Sequence, residues 1–197
     1  MSNHKTDNSS LRTKVAFRLN RLPIQDKITV LDCYHGSGAC WRNINLHSVS
    51  KIQIHGLDIE DKDSFVLLGD NRKVLPGLNL SRYDVIDVDS YGVPYDVLSE
   101  IFAYDGDINA TIFYTFCQTH MRQMPKGMLL ELGYTDAMYQ KSPTLVSKGG
   151  HDKFLHWLAN NGVTRVEYIK LPGSRTRVYG CFRIGELQKA DLSESVS

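Results

Sequence analysis

Short apolar runs alternate with amphipathic stretches along most of the chain, and that alternation predicts a parallel α/β sheet. The runs at residues 29–33, 52–57, 65–68, 84–88 and 110–116 are short and rich in Val, Ile, Leu and Phe, as strands covered on both faces should be. Helical periodicity predicts helices over 39–49, 71–78, 94–103, 125–139 and 151–161. Pro94 and Pro125 suit first-turn positions, and Asn161-Gly162 suits a helix C-terminus. Residues 163–171 and 175–184 each alternate in polarity around Pro172-Gly173-Ser174, so the sheet should end in an antiparallel hairpin. Residues 140–150, with Pro143 and the pair Gly149-Gly150, read as a mobile loop, either a lid or a surface connection.

The segment ITVLDCYHGSG at 28–38 leads an apolar strand through Asp32 into a turn with Gly36 and Gly38, and Asp58 ends the next strand. Glycines there allow φ > 0 and a close approach of a ligand to the main chain. A carboxylate at the tip of the neighbouring strand is placed to accept hydrogen bonds from ribose hydroxyls, which points to an adenosine-bearing cofactor. Cys40 and Trp41 stand where a dinucleotide fingerprint needs small residues. The turn therefore suits a cofactor with no phosphate, such as S-adenosylmethionine, with Asp32 holding the methionine ammonium directly or through water. The alternative is an ordinary βαβ unit whose glycines only turn the chain.

With 197 residues, 42% of them hydrophobic and 23% charged, the sequence fits one globular domain. That domain is expected over 11–184, between a disordered polar head at 1–10 and a disordered tail at 185–197. No window is apolar enough to span a bilayer, and MSNHKTDNSS is too polar for a signal peptide, so a cytoplasmic location and no membrane partner are expected. Cys33, Cys40, Cys117 and Cys181 are widely spaced and read as free thiols. No metal is expected, because Cys117-x-x-His120 is too sparse for zinc and His151 with His156 misses the helical i, i+4 register. The net charge of +1 does not advertise a polyanion binder, yet Lys14, Arg18 and Arg21 recur at helical spacing within 11–22. This stripe reads either as a nucleic-acid contact through Arg18 and Arg21 or as a solvated helix face.

The sharpest motif is YDVIDVDSYGVP at 83–94, a strand that passes into a polar tip at Asp89. Together with LDCYHGSGACWRNI, GLDIE and LLGDNRKVL, it resembles the tRNA guanine-N2 dimethyltransferases and, more broadly, the amino-methyltransferase group of class I S-adenosylmethionine-dependent methyltransferases. The resemblance covers about 30–116. It implies a Rossmann-like, mostly parallel seven-stranded sheet ending in an antiparallel hairpin. It also implies N-methyl transfer to an amino nitrogen, with a nucleic-acid base as acceptor and RNA preferred over DNA. In this reading Asp89, Ser90 and Tyr91 form the catalytic tip: Asp89 accepts hydrogen bonds from the exocyclic amine, with proton removal a further option, and Tyr91 stacks on the base or faces the developing cation. Ser90 replaces the proline of the family pattern. The cofactor set is Asp32, Tyr34, Gly36, Gly38, Asp58, Ile59, Asp70 and Asn71, with Asp70 doubling as a helix N-cap. Gln118 and His120, after the fifth strand, are candidates to read the acceptor.

The tRNA enzymes carry a further C-terminal domain for gripping RNA, and this sequence stops soon after the hairpin. A small acceptor, a partner subunit or homodimer, or the domain's own surface must then take that role. Two other functions remain open from sequence. One is a catalytically inactive module of the same fold that binds the cofactor or a partner, which Ser90 favours. The other is an NAD-dependent oxidoreductase, which shares strand order and the ribose acid.

Overall fold

A computed structural model describes residues 10–60, 66–118, 124–171 and 177–185. The expected head and tail, Phe65, His120 and the Pro172-Gly173-Ser174 turn lie outside the described residues. Helix α1 (Leu11–Leu19) is followed by β1 (Lys27–Asp32), α2 (Ala39–His47), β2 (Lys51–Asp58), β3 (Val66–Leu68), α3 (Asn71–Val74), β4 (Val85–Val88), α4 (Tyr95–Phe102) and β5 (Ala110–Cys117). Then come α5 (Lys126–Glu131), α6 (Asp136–Lys141), α7 (Pro143–Ser147), α8 (Gly150–Asn160), β6 (Glu167–Lys170) and β7 (Arg177–Ile184). The seven strands form one sheet in the order β3-β2-β1-β4-β5-β7-β6. Strands β1 to β5 pair in parallel, while β7 is antiparallel to both β5 and β6, so the terminal hairpin is present.

Side-chain alternation assigns each face its core. Leu31, Ile86, Val88, Ile112, Tyr114 and Phe116 pack with α4, α5 and α8 on one face. Ile28, Val30, Val85, Phe113, Tyr179 and Cys181 pack with Val15, Phe17, Trp41 and Ile44 of α1 and α2 on the other. The parity that buries Val85 sends Asp87 and Asp89 toward α1, and the parity of Ile28 and Val30 sends Asp32 the same way. Three carboxylates therefore meet under one helix.

The strand expected over 163–171 is confined to Glu167–Lys170 and the helix expected over 71–78 to Asn71–Val74 with a 3-10 turn after it, and two further elements differ in kind. Residues 125–139 form two helices, because Gly133 takes φ 84 and closes α5. The Tyr134 amide bonds the Leu129 carbonyl and the Gly133 amide that of Leu130, a Schellman ending, after which Thr135 caps α6. Residues 140–150 are mostly helical rather than an irregular loop. They contain the end of α6 and all of α7, whose Val146 is fully buried. Among the described residues no helix is long and apolar enough to cross a membrane.

Candidate cofactor and acceptor site

Strand order reverses between β1 and β4, and open α/β sheets bind ligands at the carboxyl ends of the strands beside such a reversal. Asp32 ends β1 there, Asp58 ends β2, and Asp89 follows β4. In the β1–α2 turn the Gly36 amide donates to Asp58 Oδ2 at 2.7 Å, and the Glu60 amide donates to Asp58 Oδ1 at 3.0 Å. Turn and acid are thus one unit, and a carboxylate with about four acceptor positions keeps capacity for hydroxyl donors. Gly36 and Gly38 have φ of 55 and 66. Gly38 does not open the main chain to a ligand, however. A Cβ on Gly38 would lie 2.6 Å from His35 Nε2, and one on Gly56 would lie 2.7 Å from His35 Cγ, so the imidazole fills the space both glycines leave. His35 Nδ1 meets Asp32 Oδ2 at 3.0 Å. Burial raises the pKa of Asp32 and the His35 hydrogen bond opposes it. Sequence reading missed His35, although it stands three residues after Asp32 inside the segment that drew attention.

Beyond β3, the Asn71 Nδ2 group donates to the Cys33 carbonyl at 2.5 Å, while Asn71 Oδ1 is buried without a hydrogen-bond partner. A buried acceptor left open beside the β1 tip suits an amine donor such as the adenine amino group. Tyr34, Ile59 and Leu68 expose apolar surface, Ile59 as much as 75% of it, at this end of the sheet. Asp70 is less available than expected. It accepts from the Arg72 amide and is clamped by the Arg72 guanidinium at 3.1 and 2.7 Å. The Arg72 side-chain hydrogen bonds, then its backbone amide, bring the Asp70 carboxyl down to about 2. The N-cap role holds, and the Arg72 guanidinium competes for the oxygens expected to meet adenine.

The β4 tip is a charge cluster. Arg18, 1% exposed, holds Asp87 through Nε at 2.8 Å and Nη2 at 2.7 Å, and the Trp41 indole N–H donates to the same carboxylate at 2.8 Å. Burial pushes Asp87 up to about 6, with the Arg18 guanidinium opposing. Lys14 Nζ contacts Asp89 Oδ1 and Oδ2 at 2.9 and 2.7 Å, and Thr115 Oγ1 donates to Oδ1 at 2.5 Å. Burial works to raise Asp89, but Arg18, Lys14 and Thr115 outweigh it and hold its pKa below the usual value. Asp89 is therefore held as an anion by three neighbours, which favours hydrogen-bond acceptance over proton removal.

Other expected positions separate. Arg18 is corrected from a nucleic-acid contact to a buried counter-ion. Arg21, just beyond the end of α1, is also committed, to Glu167 at 3.0 Å, so Lys14, Arg18 and Arg21 are taken up by carboxylates of the protein while Arg12 is exposed. Trp41 fills the third-glycine slot because its N–H satisfies Asp87. Ser90 is buried and turns its hydroxyl toward the Thr115 carbonyl at 3.4 Å, away from the acceptor side. It ties the loop to β5 where a proline would have stiffened it. Tyr91 is 76% exposed directly beyond Asp89. Gln118 Nε2 donates to the Ser147 carbonyl at 2.6 Å and so anchors α7. Among the described residues no group of three or more His, Cys, Asp or Glu is arranged to hold a metal ion.

No family model and no curated protein matches the sequence. Solved structures do match in fold. CurJ carbon methyltransferase superposes with a TM-score of 0.57 at 16% identity, over 90% of this chain and 54% of that one, so the chain spans about half the CurJ length. Magnesium protoporphyrin IX methyltransferase from Synechocystis PCC 6803, solved with bound S-adenosylhomocysteine, matches at 0.53 and 13% identity, over 89% of this chain and 82% of that one. A SAM-dependent methyltransferase from Aquifex aeolicus matches at 0.52 and 13% identity, over 91% and 99%. The fold is that of the class I methyltransferases.

Proposed function

We propose that the protein is an S-adenosylmethionine-dependent methyltransferase acting on an amino nitrogen, with a nucleic-acid base as acceptor and RNA preferred over DNA. The observation that carries this reading is the pair of acids on either side of the strand reversal: Asp58 bonded to the Gly36 amide, and Asp89, fixed by Lys14 two residues before the exposed Tyr91. Asp58 would hold the ribose hydroxyls, Asn71 Oδ1 the adenine amine, and the exposed Ile59 a face of the adenine. S-adenosylmethionine supplies an electrophilic methyl group on sulfur. Lys14, Arg18 and Thr115 keep Asp89 ionised and immobile, so it can accept a hydrogen bond from an amine N–H and direct the nitrogen lone pair without titrating. The amine proton then passes to water. Tyr91 offers a ring face to a planar base. Methyl transfer from sulfur needs little covalent assistance, so positioning of this kind supplies most of the acceleration.

Calorimetric titration with S-adenosylmethionine, S-adenosylhomocysteine and NAD tests the reading. The first two should bind, and Asp58→Ala should weaken them through lost charge-assisted hydrogen bonds worth about 1.5–3 kcal/mol each. Binding of NAD alone would transfer the protein to the oxidoreductases. A second reading, a binding module without catalysis, has one observation in its favour: the Lys14 ammonium sits on Asp89, where an acceptor amine would otherwise donate. Cofactor binding with no transfer of labelled methyl to total RNA, DNA or small-molecule pools would support it.

A further inference from the structure

Lys14, Arg18 and Arg21 are spent on Asp89, Asp87 and Glu167, which leaves a polyanion to be held mainly elsewhere. A second basic surface lies where β6 meets the start of α8. Lys148 is exposed between α7 and α8, and the Lys153 ammonium donates to the Lys148 carbonyl while lying 5.8 Å from the Tyr134 ring centre. On β6, Tyr168 and Lys170 share the face toward α8, because the His151 ring packs edge-on against Tyr168 at 4.8 Å. Lys170 is exposed, and its charge acts on His151. Glu167 faces the other way, bound by Arg21 at 3.0 Å and Arg165 at 3.5 Å. Among the described residues none of Lys148, Lys153 and Lys170 makes an ion pair, and Asp152 is the carboxylate whose charge reaches Lys153. These cations, beside exposed or half-buried tyrosines, offer positive charge to an anion.

The surface is continuous with the candidate site. Gln118 pins Ser147 at the carboxyl end of β5, and Lys170 pairs with Val178, which pairs with Phe116 near the same end. From β6 to β4 the sheet advances three strand spacings, about 14 Å. We infer that this corner holds a single-stranded nucleic acid, its phosphates on Lys148, Lys153 and Lys170 and a base against Tyr168, so that a neighbouring base reaches Tyr91 and Asp89. The inference rests on the nucleic-acid reading above. Lysines that track a backbone beside rings that stack on unpaired bases favour a single strand.

Fluorescence polarisation of the full chain with fluorescein-labelled oligouridine, across a series of KCl concentrations, provides the test. The triple variant Lys148→Gln/Lys153→Gln/Lys170→Gln should bind at least about tenfold more weakly and lose about two from the slope of log affinity against log salt. Tyr168→Ala should weaken binding without changing that slope. Lys27→Gln/Lys51→Gln, at the opposite end of the sheet, should bind like the unmodified protein. Equal binding by the triple variant, or no binding by the unmodified protein, would overturn the inference. So would equally tight capture of an oligoadenosine–oligouridine duplex or of polyglutamate. S-adenosylmethionine titrated into the same samples separates the two levels: cofactor binding without RNA binding removes the docking corner alone, whereas loss of cofactor binding in the unmodified protein removes the methyltransferase reading.

Discussion

Arg18 and Asp87 form an ion pair sealed from water, and such a pair is costly to break from one side. Arg18→Met leaves Asp87 buried with only the Trp41 N–H, so unfolding free energy should fall by about 3–5 kcal/mol in urea titration. Arg18→Met/Asp87→Leu should recover most of that loss, since two apolar groups of similar size leave no charge stranded. His35 offers a second coupling. Gly56→Ala should cost about 1–3 kcal/mol by driving a methyl into the imidazole. In a His35→Ala background the same change should be nearly silent, and a thermodynamic cycle over the four proteins measures the difference. At this scale the sequence was legible where an acid ends a strand: Asp32, Asp58 and Asp89 all stand at the carboxyl edge. It was not legible for Arg18 or Gly38, whose roles depend on partners brought in by tertiary packing. Helical spacing can mark Arg18 as one of a stripe but cannot say whether the stripe faces water or a buried carboxylate 69 residues away.

Helix α8 is fixed through its first turn, and His151 gives that attachment a pH dependence. Burial, with Lys170 adding to it and Asp152 opposing, brings the His151 imidazole down to about 4. The folded protein binds fewer protons than the unfolded chain between that value and 6.5, so stability should fall as pH drops through this window. Thermal unfolding followed from pH 7 to pH 4 should show the loss, and His151→Gln should flatten it. The helix split at Gly133 carries a simpler expectation. Gly133→Ala forces a side chain into φ 84 and should lower stability by about 1 kcal/mol in chemical denaturation. Strands were readable to within a residue or two in β1 through β5, because burial on both faces writes a continuous apolar run. The helices between β5 and β6 were less so. Their hydrophobic period runs across the break, and the Gly133 ending competes with it locally.

Over the whole molecule, the order β3-β2-β1-β4-β5-β7-β6 puts every candidate group on one edge: Asp58 and Asn71 on one side of the reversal, Asp89 and Tyr91 on the other. The βα alternation and the terminal hairpin foretold this arrangement, since right-handed crossovers leave few other topologies. They did not foretell that a helix ahead of the first strand would supply the counter-ions for the fourth. That placement bears on how the protein is made. On a ribosome Arg18 emerges 69 residues ahead of Asp87, and Lys14 emerges 75 residues ahead of Asp89. At ordinary translation speeds the first of these intervals is roughly 3–14 s. As it elapses α1 gains α2 and β1 as packing partners for Val15 and Phe17, but its cations still lack Asp87 and Asp89. A nascent chain stalled before β4 therefore presents Lys14 and Arg18 without their carboxylates to whatever polyanion is nearby.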